Sequence, residues 1–226
     1  LVCGIPPASG KLPSAAQISA TLSRIGYQPQ QRIIAFDDEG GGWAGRLFWT
    51  LDVIGHHDWA YLDGGLHAWH AAGLPLAQGA SAPAPAEPCG ISIDTDPIAE
   101  IADVMAAIDD ADSVIWDVRS AEEYAGLRSG SARRGHTPGG VNLDGELLKG
   151  ANRQLRLIDN LEAVADSLGL FQAEQVITHC QTHHHSGLSY LVGRLLGLNI
   201  KAFHGSWAEW GNDPNTPISN PNEAAH

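Results

Sequence analysis

The chain has 226 residues, 43% of them hydrophobic and 17% charged, an ordinary globular composition that excludes disorder. A formal net charge of -13, with only 13 Lys and Arg, excludes general binding to nucleic acid or acidic membrane surfaces and favours small-molecule or thiol partners. No apolar run reaches membrane length, no basic-then-apolar leader opens the chain, and the 3 cysteines lack zinc spacing or a disulfide pattern, so the expectation is a soluble protein of the reducing cytoplasm.

Ser14-Ala15-Ala16-Gln17 is a capping-box pattern that predicts a helix carrying Ile18, Leu22 and Ile25, with a strand over 32–36 after it. The loop Asp37-Asp38-Glu39-Gly40-Gly41-Gly42-Trp43 is acidic, and its glycines lack both the P-loop Lys-Ser/Thr and dinucleotide spacing. A helix with Gly45-Arg46, a short strand and the turn Asp63-Gly64-Gly65-Leu66-His67-Ala68-Trp69 complete a first unit, 1–76. The Ala-, Pro-, Gly- and Ser-rich stretch after it reads as a linker, 77–93. Cys3 and Cys89 lie in Pro- and Gly-containing segments and read as incidental thiols.

In the second unit, 94–226, Asp96 as N-cap predicts a helix over 97–108, followed by a strand over 114–118. Asp159-Asn160-Leu161-Glu162 opens a helix with Leu161, Val164, Ala165 and Leu168, closed by Gly169. Val176 and Ile177 read as a buried strand running into Cys180. Leu188, Leu191, Val192, Leu195 and Leu196 then repeat at helical spacing until Gly197. A second Gly-Arg, Gly193-Arg194, and the turn His204-Gly205-Ser206-Trp207-Ala208-Glu209-Trp210 repeat the order of the first unit. Alternating strands and helices in two similar halves predict a duplicated α/β architecture with parallel sheets flanked by helices.

Superposing the halves sets Asp37 opposite Cys180, so only the second half carries a nucleophile. The first half has no counterpart to 94–140, and its opening strand and helix are expected to be missing before Leu1. Because Leu1 is not an initiator methionine, a fragment or processed form is expected.

Cys180 sits where a strand turns into a helix, and the N–H groups of such a loop with the positive helix end favour an anion. The loop residues Gln181, Thr182, His183, His184, His185 and Ser186 are the candidate binding residues. A lone cysteine after an apolar strand is more often a packed residue than a nucleophile. Adjacent histidines on a tight loop converge poorly on one ion, so no metal site is assigned. His179 reads as the strand end and His136 as a structural link from its turn to the sheet. Asp117 and Arg119 either pair structurally or support the pocket, with the structural reading favoured. Trp207 and Trp210 read as packing aromatics at a domain contact.

Taken in order, Asp117-Val118-Arg119, Glu123-Tyr124, Gly135-His136-Thr137-Pro138-Gly139, the cysteine loop and Gly205-Ser206-Trp207-Ala208-Glu209-Trp210 resemble the rhodanese family, in its tandem-domain form with a silent first domain. The cysteine loop looks like a bacterial subgroup reading Cys-Gln-Thr-His-His-Arg, with His185 standing at the arginine. The resemblance implies a thiosulfate sulfurtransferase without metal or organic cofactor. It would pass sulfur from a small anionic donor to cyanide or a thiol, a protein thiol included, through a Cys180 persulfide. Histidine titrates near neutrality where arginine stays charged, so His185 is expected to weaken thiosulfate use and steepen its pH dependence. Two other readings stand beside this: a non-enzymatic rhodanese-like sulfur carrier or protein-binding module, and a cysteine-dependent phosphatase. The second is disfavoured because its phosphate-binding arginine would fall at Ser186.

Overall fold

The computed structural model describes residues 1–222. The elements are α1 (Ala15–Arg24), β1 (Ile33–Ala35), α2 (Gly42–Val53), β2 (Trp59–Tyr61), α3 (Gly65–Ala71), β3 (Ile98–Ala99), α4 (Ile101–Ile108), β4 (Ser113–Asp117), α5 (Ala121–Tyr124), β5 (Val141–Asn142), α6 (Leu161–Ser167), β6 (Gln175–His179), α7 (His185–Leu195), β7 (Ile200–Phe203) and α8 (Ser206–Trp210). Helix α1 starts as its sequence requires: the Ser14 hydroxyl accepts the Gln17 N–H and the Gln17 side chain accepts the Ser14 N–H. Ile18 and Leu22 then bury on one face.

Two parallel sheets result. One is the pair β1-β2; the other has the order β3-β7-β6-β4-β5. In the larger sheet Val114 pairs with Val176, Ile115 with Ile177 and Asp117 with His179, so β4 and β6 end side by side. Cys180 lies just past that shared end, beyond the carboxyl ends of parallel strands, where open α/β sheets hold their ligands. The repeat expected from the sequence sets β1 and β2 opposite β6 and β7, and both pairs are parallel. Strand β6 also pairs with β4, whereas β1 has no second neighbour among the described residues and leaves Ile34 and Phe36 exposed.

One hydrophobic cluster runs through both halves and includes Phe48, Trp49 and Leu51 of α2 with Tyr190, Leu191 and Val192 of α7. Each fully buried side chain of this size contributes about 1.5–3 kcal/mol of transfer free energy. The two helices cross at Gly45 and Gly187. A Cβ at Gly45 would collide with the Gly187 carbonyl, and one at Gly187 would come within 2.5 Å of the Arg46 nitrogen. Tyr190 also donates to the buried Asp52 carboxylate at 2.8 Å.

Two local expectations change. The predicted helix 97–108 begins only at Ile101, because Ile98 and Ala99 pair with Ala202 and Phe203 of β7. Glu100, not Asp96, is therefore the N-cap, and its N–H donates to Asp103 at 2.8 Å. Trp207 and Trp210 do pack, but in a cluster of the larger sheet with Ile115, Ile177 and Phe203 and not between the halves.

Candidate active site

Strand β6 delivers Cys180, 2% exposed, into a loop that closes on α7. The turn into α8 holds the cysteine by its backbone: Trp207 N–H donates to the Cys180 carbonyl at 2.9 Å, and Cys180 N–H donates to Ser206 Oγ at 3.4 Å. Ala208 N–H donates to the Gln181 carbonyl at 2.9 Å, so two successive loop carbonyls point away from the thiol. None of the N–H groups of residues 181–186 has an acceptor among the described residues. They are available to an anion.

A side-chain relay ends on the sulfur. Ser186 Oγ donates to Cys180 Sγ at 3.4 Å and lies 2.8 Å from His183 Nδ1. With the serine proton directed at sulfur, His183 must supply the Nδ1 proton, leaving its unpartnered Nε2 with the lone pair. Burial first, and the Arg46 charge second, hold the His183 pKa well below the ordinary histidine value, so the ring is neutral. His183 occupies the left-handed region at φ 57, a conformation that histidine tolerates better than most side chains and that turns its ring inward.

The first half, whose corresponding loop has no cysteine, provides a comparison. Asp37 follows β1 as Cys180 follows β6, and its carboxylate accepts N–H groups of its own loop: Glu39 at 3.1 Å, Gly41 at 2.8 Å and Ala44 at 2.9 Å. The same turn thus wraps a fixed anion where the second half places a thiol.

The remaining loop residues diverge. Gln181 donates to Ser131 Oγ at 3.1 Å, which ties the loop to the 129–133 segment. The Thr182 carbonyl packs against Gly10, where a Cβ would collide with it. His184 turns to the first half, with Nε2 3.0 Å from Glu39 and its ring 4.2 Å from that of Trp43. Burial, then the neighbouring His185, lower its pKa. His185 is exposed and lines a cavity of about 370 Å³ with Glu39, Gly42, Glu146, Lys149 and His184. The His183 ring therefore faces inward, while the His184 and His185 rings lie 5.1 Å apart on the lining of the same cavity.

Asp117 and Arg119 lie behind the strand ends with side chains 1% exposed. Arg119 Nε donates to both carboxylate oxygens at 3.0 Å, Nη2 donates to the Gly135 carbonyl at 2.9 Å, and the guanidinium covers Trp207 at 4.0 Å. Burial opposes ionisation of Asp117, but the charges of His179 and Arg119 outweigh it and hold the carboxyl below its usual range. The pair fastens β4 to the Gly135 turn and to Trp207, whose N–H holds Cys180. His136 anchors the other side of that turn, stacked on Tyr124 at 3.8 Å.

Sequence reasoning did not single out Arg46, Ser206 or His204. His204 accepts the Leu12 N–H at 3.0 Å and reaches Glu100 at 3.1 Å, joining the N-terminal segment to the larger sheet. The position of Ser206 in the recurring Gly-turn-Trp motif and of Arg46 in the recurring Gly-Arg pair were the available signals.

Fold and site define an α/β protein with a buried cysteine at the mouth of an N–H cradle beyond a parallel sheet. Residues 100–213 match the Rhodanese-like domain model, and the chain belongs to the rhodanese family. It is 42% identical over 216 residues to a thiosulfate sulfurtransferase of Pseudomonas aeruginosa, covering 95% of this chain and 79% of the relative. A thiosulfate sulfurtransferase of Azotobacter vinelandii is 41% identical with the same coverage. The fold superposes with a TM-score of 0.84 on the anaerobic ergothioneine biosynthesis enzyme of Chlorobium limicola, at 19% identity, covering 95% of this chain and 57% of that one. Its membership and these relatives make the chain a rhodanese-type enzyme, a sulfurtransferase.

Proposed function

We propose that Cys180 carries sulfane sulfur from thiosulfate, or a related anionic donor, to cyanide or a thiol through a persulfide. The thiolate attacks the outer sulfur; a Cys180 S–S bond forms, the S–SO₃ bond breaks, and sulfite leaves with the bonding pair. Cyanide or a thiolate then attacks the terminal sulfur, and the electron pair returns to Cys180. The free thiolate and the persulfide intermediate are both anionic at sulfur, and the observation that carries the reading is the Asp37 carboxylate wrapped by N–H groups in the corresponding loop. In this reading the unit 94–226 carries the chemistry, while 1–76 is its silent copy and 77–93 the linker. Gln181, Thr182, His183, His184, His185 and Ser186 form the cradle, and Asp117 with Arg119 supports it from behind.

Intact mass before and after thiosulfate tests the proposal, with Cys180→Ser as control. A gain of one sulfur that cyanide removes, absent in the mutant, is expected. No cyanide-labile gain, or an equal gain in the mutant, overturns the persulfide.

A further inference from the structure

A buried cation without a carboxylate lies against the cysteine loop. Arg46, in the first turns of α2, is 2% exposed, and no carboxylate among the described residues pairs with it. Its Nη1 donates to the Gly10 carbonyl at 2.6 Å and Nη2 to the Leu1 carbonyl at 3.0 Å, while Nε has no acceptor. The guanidinium carbon lies 4.5 Å from the Trp49 ring centroid, and that ring meets His183 edge-on at 4.6 Å. Gly10, held by Arg46, packs on the Thr182 carbonyl. Arg46 therefore reaches the cysteine loop by two routes, through Gly10 to Thr182 and through Trp49 to His183.

A buried charge is strongly disfavoured unless an anion or a full set of hydrogen bonds balances it. Two carbonyls and an orphaned Nε leave this one short. Burial pushes the guanidinium down to about 9, and the Cys180 and Cys3 sulfurs, as anions, pull the other way. It stays charged at neutral pH. Its motif counterpart Arg194 has a carboxylate, Asp52, at 3.3 Å. Within the loop itself, His185 is turned outward to the cavity rim and supplies no buried cation.

We propose that Arg46, contributed by the half whose own loop has no thiol, is a positioning cation for the Cys180 site: its carboxylate-free guanidinium favours anionic sulfur on Cys180 and pins the loop through Gly10. The silent half is then part of the active site's electrostatics and more than a cover for it. The inference deepens the sulfur-transfer reading and rests on Cys180 being the reactive thiol, but on no particular donor or acceptor.

The titratable side chains that interact with the Arg46 charge are Cys180, Cys3 and His183. In a Cys3→Ser, Cys89→Ser background, iodoacetamide alkylation followed by mass reads Cys180 alone, without any sulfur donor. Failure of persulfide formation is therefore distinguishable from failure of this inference. Arg46→Gln is expected to slow alkylation about tenfold at pH 7, with the gap closing towards pH 9.5, and Arg46→Lys to restore most of the rate. An unchanged rate, or a loss of the same size at every pH, overturns the proposal. Should Arg46→Gln fail to fold, Cys180→Asp and Cys180→Asn in the native chain decide. An Asp variant melting above the Asn variant at pH 7.5 supports a cation awaiting an anion; an equal or lower midpoint overturns it.

Discussion

Ser186→Ala tests the relay at its centre. Ser186 is fully buried, donates to Cys180 Sγ at 3.4 Å and lies 2.8 Å from His183 Nδ1. A hydrogen bond to a charged group contributes about 1.5–3 kcal/mol, so losing the donor to an anionic sulfur lowers kcat/KM about 10- to 150-fold. The truncation also strands a buried Nδ1–H on His183, which costs about 1–3 kcal/mol of stability and about 2–12 °C in the melting midpoint of a chain this long. Ser186→Thr keeps the hydroxyl and is expected to recover most of both. Steady-state thiosulfate:cyanide transfer and thermal melts measure the two effects. A kcat/KM for Ser186→Ala within twofold of native, or a threonine variant no better than alanine, would refute the relay.

His185→Arg has room at the cavity rim beside Lys149 and Glu146; a lower KM for thiosulfate and a flatter profile from pH 6 to 9 are expected, and identical constants and profiles would dismiss a role for this position. Asp117→Asn leaves Arg119 buried without its counter-charge and should cost about 3–5 kcal/mol in urea denaturation; a loss below 1 kcal/mol would place the fastening of β4 elsewhere. His179 and His183 have pKa values lowered mainly by burial, so the unfolded chain binds more protons than the folded one below the ordinary histidine range. Stability from both is present above about pH 6.5 and is lost as pH falls towards their folded values; the melting midpoint should drop from pH 7 to pH 5, and less steeply in His183→Asn. An equally steep drop in that variant would remove His183 from the explanation.

Much of this molecule was legible from local pattern because local physics decides it. The Ser14 capping box, the apolar run into Cys180 and the leucine spacing after it each set an element through nearby hydrogen bonds or a single buried face. The start of α4 was misread because Asp96-Pro97 is a sound local helix start, yet Ile98 and Ala99 gain a partner in β7, which lies a hundred residues away in the chain. Trp207 and Trp210 were correctly read as packing residues, but which core they enter depends on how β4, β6 and β7 assemble.

The sequence by itself determined the fold class and the family, since strands and helices alternate along it and the ordered motifs around the cysteine are specific. Tertiary structure alone decided how the sulfur is surrounded. Ser186 and His183 line up on the thiol because a left-handed residue in the loop turns one histidine inward, while His184 and His185 face outward. Arg46 reaches the site because Gly45 and Gly187 let two helices from different halves approach backbone to backbone. The approach of Gly45 to Gly187 joins residues more than a hundred positions apart, and no short-range pattern records it.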